Sequence, residues 1–367
     1  MVTILGKLPD PFRKADGTRM SPGEWYAGRE KLFREICDIE FGGMPPRPEV
    51  VSVKRLTNAR RDGGTNVYKV TAGTKDKQVA FILDITAPAA PIDGSVRFPV
   101  LLDGDSCFTT CESDTIAYAK TLRIAVARFN RLELAHDDKD AERAGGLYDV
   151  YTEQTTFSAI SAWAWGYIAA IDALEQIPHV DAKNIGITGH SRGGKTVLLA
   201  AAADTRVRFV CPNNSGTHGA ASYRLKETGY GWANKSEEIS DLFKNFPHWM
   251  GPKMRDYIDR EDDLPYDMHY FGALIAPRFY LQCEGLQDYW LNPKGAWMNF
   301  CGVKEAYRYL GYEDNAAIWF RPGGHRHKLP DFTEFLTFMR AKLNGTPTPE
   351  HFKINPYPDL EFEIDWK

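Results

Sequence analysis

The spacing of apolar residues changes period along the chain, and each change marks a different kind of element. Residues 23–41, GEWYAGREKLFREICDIEF, carry apolar side chains at helical spacing and predict an amphipathic helix lying over the outside of a core. EVVSVKRL (49–56), TNVYKVTAG (65–73) and QVAFILDITAP (78–88) are runs favouring strand, parted by short polar or glycine-bearing turns. They predict antiparallel strands at one edge of a sheet. From residue 98 the rhythm becomes strand, helix, strand: FPVLLDG, SDTIAYAKTL, RIAVARFN. FSAISAWAWGYIAAIDALEQ (157–176) predicts a long helix, followed by strand NIGITG and helix GGKTVLLAAAA. VRFVCPNN, APRFYLQCEG and AAIWFRPG predict further strands, with helices between and after them.

Strands alternating with helices imply an α/β fold: a mostly parallel central sheet, helices on both faces, and the antiparallel strands at its N-terminal edge. Residues 49–345 are expected to form this domain. Residues 1–48, rich in Pro, Gly and charge, are read as a helical extension packed on it, and 346–367 as a C-terminal tail. The stretch 215–270 is Gly-, Trp- and charge-rich and breaks the alternation, so it is expected to form a cap or lid.

Composition narrows the classes. The chain has 367 residues, 43% hydrophobic and 26% charged, with a formal net charge of -4. That balance carries no basic footprint for nucleic acid or an anionic membrane. No apolar run reaches the roughly 18 residues a spanning helix needs. MVTILGKLPDPF shows no basic region followed by an apolar core, so a cytoplasmic location is expected. The six cysteines are widely scattered, which suggests free, mostly buried thiols. No zinc pattern is complete, and neither a metal nor a cofactor is expected.

The chemistry concentrates at GHSRGGK, residues 189–195. A Gly-x-Ser-x-Gly sits directly between an apolar strand and an alanine-rich helix, the context of a nucleophile elbow. Flanking glycines are needed because a Cβ there collides with strand and helix. The helix N-terminus adds partial positive charge where an oxyanion forms. Ser191 is therefore the candidate nucleophile. A serine needs a base, and the base an orienting acid, in the chain order Ser, acid, His. His325 follows Gly323 and Gly324 after the last strand and is the candidate base, with His327 as the fallback. Asp288, a few residues past a strand end, is the preferred acid, and Glu284 the alternative. A second oxyanion N–H is expected around Asp105 or Ser106. Trp163 and Trp165, inside the long helix, read as core.

These motifs, with LPDPFRKADGTRM, AWAWG, PNNSG, LPYDMHYFGALIAPR, DYWLNPKG and GGHRH, resemble the glucuronoyl esterases and their bacterial relatives, carbohydrate esterases of the α/β-hydrolase fold. The resemblance covers most of the chain. It implies that Ser191 is the nucleophile and His325 the base, that Arg192 helps hold the oxyanion, that Lys195 contacts sugar hydroxyls, and that Trp290 borders the sugar pocket. Two departures stand out. Many family members carry cysteine where this chain has His190. Many also take the acid from the PNNSG loop, with glutamate where this chain has Asn214. Asparagine cannot carry the charge that stabilises imidazolium, so Asp288 is expected to supply it. Asn214 then reshapes the substrate pocket.

The expected activity is hydrolysis of a sugar ester, a glucuronoyl or 4-O-methyl-glucuronoyl ester, through an acyl-enzyme. An acetyl (xylan) esterase or broad deacylase is one rival. A catalytically silent carbohydrate-binding homologue is the other. The expected partner is a small carbohydrate ester or oligosaccharide, and the sequence leaves the oligomeric state open.

Overall fold

Alternating burial along the strands builds the sheet, because successive side chains of a strand point to opposite faces. A computed structural model describes residues 1–57, 64–90, 95–141, 143–229, 231 and 234–366. Within the expected cap, Tyr230, Trp232 and Ala233 lie outside the described residues, as does Lys367 of the expected tail. The strands are β1 (Val2–Ile4), β2 (Val50–Arg55), β3 (Thr65–Gly73), β4 (Gln78–Thr86), β5 (Phe98–Asp103), β6 (Ala125–Phe129), β7 (Val180–His190), β8 (Val207–Asn213), β9 (Leu225–Glu227), β10 (Phe279–Gly285) and β11 (Ala316–Arg321). The helices are α1 (Pro22–Phe41), α2 (Ser113–Thr121), α3 (Leu147–Val150), α4 (Ala159–Leu174), α5 (Arg192–Ala203), α6 (Ile239–Asn245), α7 (His269–Ile275), α8 (Pro293–Tyr309) and α9 (Leu329–Leu343).

Nine strands form one sheet in the order β11-β10-β8-β7-β5-β6-β4-β3-β2. Pairing is parallel from β11 through to β6 and antiparallel from β6 through β4 and β3 to β2. This is the α/β-hydrolase arrangement expected, with its antiparallel N-terminal edge. A second sheet, unforeseen in the sequence, pairs β1 with β9 antiparallel. Its strands of three residues are too short to show a period.

Leu101, Val126, Phe209 and Leu281 project from one face of the large sheet onto α2 and α9. Val100, Leu102, Ile187 and Val210 project from the other, beneath α4, α5, α7 and α8. Helix α4 is buried almost all round, which explains its lack of a polar face. Trp163 and Trp165 are both 0% exposed, core residues as expected, and their indole N–H groups donate to Ala135 O and Pro46 O.

Helix α1 starts at a capping box, Ser21 with Glu24. Near its end, Glu40 is buried and accepts the hydroxyls of Tyr223 and Tyr266 beside His218. The N-terminal helix is thus bonded to the 215–270 segment by a satisfied buried carboxylate. Registers align His190 of β7 with Asn213 of β8, and Asn213 with Cys283 of β10. Gly285 of β10 in turn faces Arg321 of β11. The carboxyl ends of four neighbouring parallel strands therefore open onto one place, where ligand sites of open α/β sheets lie.

Candidate active site

Ser191 stands between β7 and α5 with φ 57° and ψ -120°, a backbone region an L-residue occupies only under constraint. The constraint is visible. A Cβ on Gly189 would lie 2.4 Å from Gly193 O, and one on Gly193 would lie 2.2 Å from Asp105 Oδ2. The Ser191 N–H donates to Asn213 O at 2.9 Å, and the His190 N–H to Asp105 Oδ2 at 2.7 Å. Asp105 is paired through its other oxygen with Arg131 Nε at 2.7 Å, and both residues are 0% exposed. A buried ion pair therefore anchors the turn from beneath.

The Asp105 N–H is already taken by Asp103 Oδ1 at 2.9 Å, so of the two expected oxyanion donors it drops out. Ser106 opens a short 3-10 turn, Ser106–Phe108, where a leading N–H has no acceptor within the helix.

His325 is partly exposed on the loop after β11, and its Nδ1 donates to Asp288 Oδ2 at 2.7 Å. Asp288 follows β10 and is 6% exposed. Glu284 is hydrogen-bonded within β10: Gln282 Nε2 donates to it at 2.9 Å, and burial raises its carboxyl well above the usual range. Burial thus disfavours the anionic form that an orienting acid needs. His327, the fallback base, is buried against Phe332 with ring centroids 4.0 Å apart. Burial, then the Arg321 charge, pushes it down to about 3. The His190 ring lies 4.3 Å from the His325 ring, so the end of β7 meets the histidine loop. Burial and the two neighbouring imidazoles hold His190 well below its ordinary pKa, and its Nδ1 donates to Asn213 Oδ1 at 2.7 Å.

Two residues expected to touch substrate face inward instead. Lys195 is 2% exposed and donates to Ser215 O at 2.7 Å, to Thr217 O, and to Glu237 Oε2 at 3.3 Å. An ammonium has three N–H groups, and all are used. Asn214 is 0% exposed; its amide donates to Asp288 Oδ2 at 2.7 Å and accepts from Arg321 Nη2 at 3.1 Å. It therefore meets Asp288, the candidate acid, rather than open space. Arg192 reaches Asp137 Oδ2 at 2.6 Å, its guanidinium 4.6 Å from the Trp249 ring centroid. Trp290 is half-buried on the turn directly after Asp288, and its carbonyl accepts the Glu237 N–H at 2.7 Å.

The sequence reading missed Arg321, Asp331 and Asp137. Arg321 donates to Asp331 Oδ1 at 2.7 Å, to Gly324 O at 2.9 Å and to Arg326 O, clamping the histidine loop. A charged residue closing an otherwise apolar strand, two residues before the glycine pair, was the available signal. Asp137 lies in a charge-rich loop, LELAHDDKD, with nothing to distinguish it from its neighbours. All six cysteines are free, as expected, with Cys211 and Cys283 3.5 Å apart in adjacent strands.

Comparison with known proteins places this geometry. The profile of the family described as "Glucuronyl esterase, fungi" matches residues 70–311. The 4-O-methyl-glucuronoyl methylesterase 1 of Wolfiporia cocos is 31% identical, across 88% of this chain and 76% of that protein. The 4-O-methyl-glucuronoyl methylesterase of Phanerochaete carnosa is 30% identical, across 98% of this chain and 88% of that one. Among solved structures, a carbohydrate esterase family 15 glucuronoyl esterase from Caldicellulosiruptor kristjansonii superposes with a TM-score of 0.81. It covers 97% of each chain at 29% identity. These relatives overturn the expected cytoplasmic location, because the fungal and bacterial glucuronoyl esterases are secreted, extracellular enzymes. Free thiols and the first residues of the chain are no guide to compartment. By profile, sequence and superposition alike, the chain belongs to the glucuronoyl esterase family.

Proposed function

We propose that this protein is a serine carboxylic ester hydrolase that cleaves glucuronoyl esters, 4-O-methyl-glucuronoyl esters among them, through an acyl-enzyme on Ser191. The observation that carries the reading is the 2.7 Å pair of Asp288 and His325 beside a constrained serine elbow. The names of the relatives, 4-O-methyl-glucuronoyl methylesterases, supply the substrate class.

In the first half-reaction His325 Nε2 takes the Ser191 hydroxyl proton as Oγ bonds the ester carbonyl carbon. The carbonyl π pair moves onto oxygen, where the α5 N-terminus, the Ser106 N–H and the Arg192 guanidinium oppose the new charge. Re-forming the carbonyl breaks the bond to the alcohol oxygen, which leaves with the proton returned by His325. Water then repeats the sequence on the uronoyl-Ser191 ester, and the free uronic acid departs. Asp288 holds the Nδ1 proton in place throughout and stabilises the imidazolium. Trp290 borders the sugar. On this reading residues 49–345 are the catalytic domain, 1–48 brace it, and 215–270 wall the pocket.

The test is hydrolysis of benzyl glucuronate beside p-nitrophenyl acetate and acetylated xylo-oligosaccharides, with Ser191→Ala as control. Serine-dependent turnover of the glucuronate ester well above acetate release supports the reading. Acetate release alone reassigns the enzyme as a deacetylase.

A further inference from the structure

Asn214 directly follows β8, and its surroundings are those of a built site. It is 0% exposed and leaves β8 with φ 42°. Its two amide atoms face groups of opposite demand. Nδ2 donates to Asp288 Oδ2 at 2.7 Å, and Oδ1 accepts from Arg321 Nη2 at 3.1 Å. Only one amide orientation satisfies both, because a carboxylate accepts and a guanidinium donates. The Asp288 oxygen that receives this amide is the one that receives His325 Nδ1. Arg321 cannot drift, because Asp331 Oδ1 holds its Nε at 2.7 Å and its Nη1 bonds Gly324 O at 2.9 Å.

We propose that Asn214, its amide fixed by Arg321, is a positioning residue that aligns the Asp288 carboxylate on His325. This rests on the reading of Asp288 and His325 as acid and base. The asparagine is then a fixed donor: Asn214 sets the angle at which the Asp288 carboxylate meets His325. Arg321 serves acid and base together, reaching Asp288 through Asn214 and His325 through the carbonyl of Gly324.

Two substitutions test it. Asn214→Leu removes the donor. A misaligned acid costs rate rather than binding, so kcat should fall about tenfold to a hundredfold with KM within about twofold. Asn214→Asp keeps the acceptor for Arg321 and sets a second carboxyl against Asp288. Two such groups share one proton, so the new side chain donates only while protonated. The charged groups around the pair are His325 from the histidine loop, Arg321 from β11 and Asp331 from α9. Glu284 of β10 also faces the pair, and burial raises its carboxyl. The activity of Asn214→Asp relative to wild type should therefore be highest at acid pH and fall about tenfold or more towards pH 9. Mere loss of packing gives a ratio that does not move with pH.

Wild-type kcat in Asn214→Leu, or a flat pH ratio in Asn214→Asp, overturns the proposal. If the leucine variant does not fold, the aspartate variant decides alone. Asp288→Asn separates the two levels. Inactivity there beside wild-type kcat in Asn214→Leu defeats this proposal and leaves the acid assignment standing. Full activity of Asp288→Asn defeats the acid assignment and this proposal with it.

Discussion

Arg192 and Asp137 stand 2.6 Å apart, and the carboxylate that holds the arginine also accepts from His248 Nε2 at 3.0 Å and Trp249 Nε1 at 2.9 Å. Burial alone would raise the Asp137 carboxyl, but the three donors together hold it well below the ordinary carboxylate range. The guanidinium next to Ser191 is therefore tied to the 215–270 segment through a single anion. In the proposed mechanism Arg192 opposes the oxyanion, so its aim depends on Asp137.

Asp137→Asn should lower kcat about tenfold to a hundredfold, the usual cost of a displaced charge-stabilising group, with a smaller change in KM. Steady-state kinetics at matched folded fraction checks this. An unchanged kcat would detach Arg192 from transition-state stabilisation.

Burial, then the Asp105 carboxylate, pushes Asp103 up to about 7. A carboxyl whose folded pKa lies above its unfolded value binds more protons when folded, so stability falls as pH rises between about 4 and 7. The penalty is complete above that window and absent below it. Asp103→Asn keeps an acceptor for the Asp105 N–H and removes the titration. It should raise stability by about 1–3 kcal/mol at pH 8, with the gain vanishing towards pH 4. Thermal melts across that range decide the sign.

Gly189→Ala should disrupt the elbow, because the new Cβ meets backbone, Gly193 O, at 2.4 Å. Backbone cannot rotate out of the way as a side chain can. A loss of about 1–3 kcal/mol or more is expected in urea unfolding, with esterase activity falling further than stability.

Lys195 and Glu237 are both buried, at 2% and 4% exposure. Burial lowers the lysine and raises the glutamate, and their mutual attraction offsets only part of it. Removing one partner strands the other, so Lys195→Met should cost about 3–5 kcal/mol. The double variant Lys195→Met with Glu237→Gln should recover part of it. A melting temperature unchanged in Lys195→Met would place the ammonium outside the core.

Much of the sheet was legible because its strands announce themselves. TNVYKVTAG coincides with β3, and the strand–Gly-x-Ser-x-Gly–helix order located the elbow without any structure. Ser191, Asp288 and His325 were nameable because each follows a strand end, which is a position in sequence. Lys195 turns inward where a substrate contact was expected, because sequence shows its distance from Ser191 along the helix but not which way the side chain turns. Whether an ammonium faces pocket or core depends on carbonyls twenty residues away, those of Ser215 and Thr217. Asn214 and Arg321 are 107 residues apart, and no local pattern announces their pairing.

Asn213 and Asn214 are consecutive and serve different masters. Asn213 takes the N–H of Ser191 on its carbonyl, the ring of His190 on its amide oxygen, and reaches Asp331 with its amide nitrogen at 3.0 Å. Asn214 holds Asp288. The loops bearing Asp288 and His325 are themselves laced by the Leu286 N–H to Arg321 O and the Gln287 N–H to Gly323 O. On the proposed mechanism the serine thus rides on one rail, the acid and base on another, and two adjacent asparagines at the end of β8 act as the gauge between them. In the proposed mechanism the placing of nucleophile against acid and base rests locally on one peptide unit, that between Asn213 and Asn214.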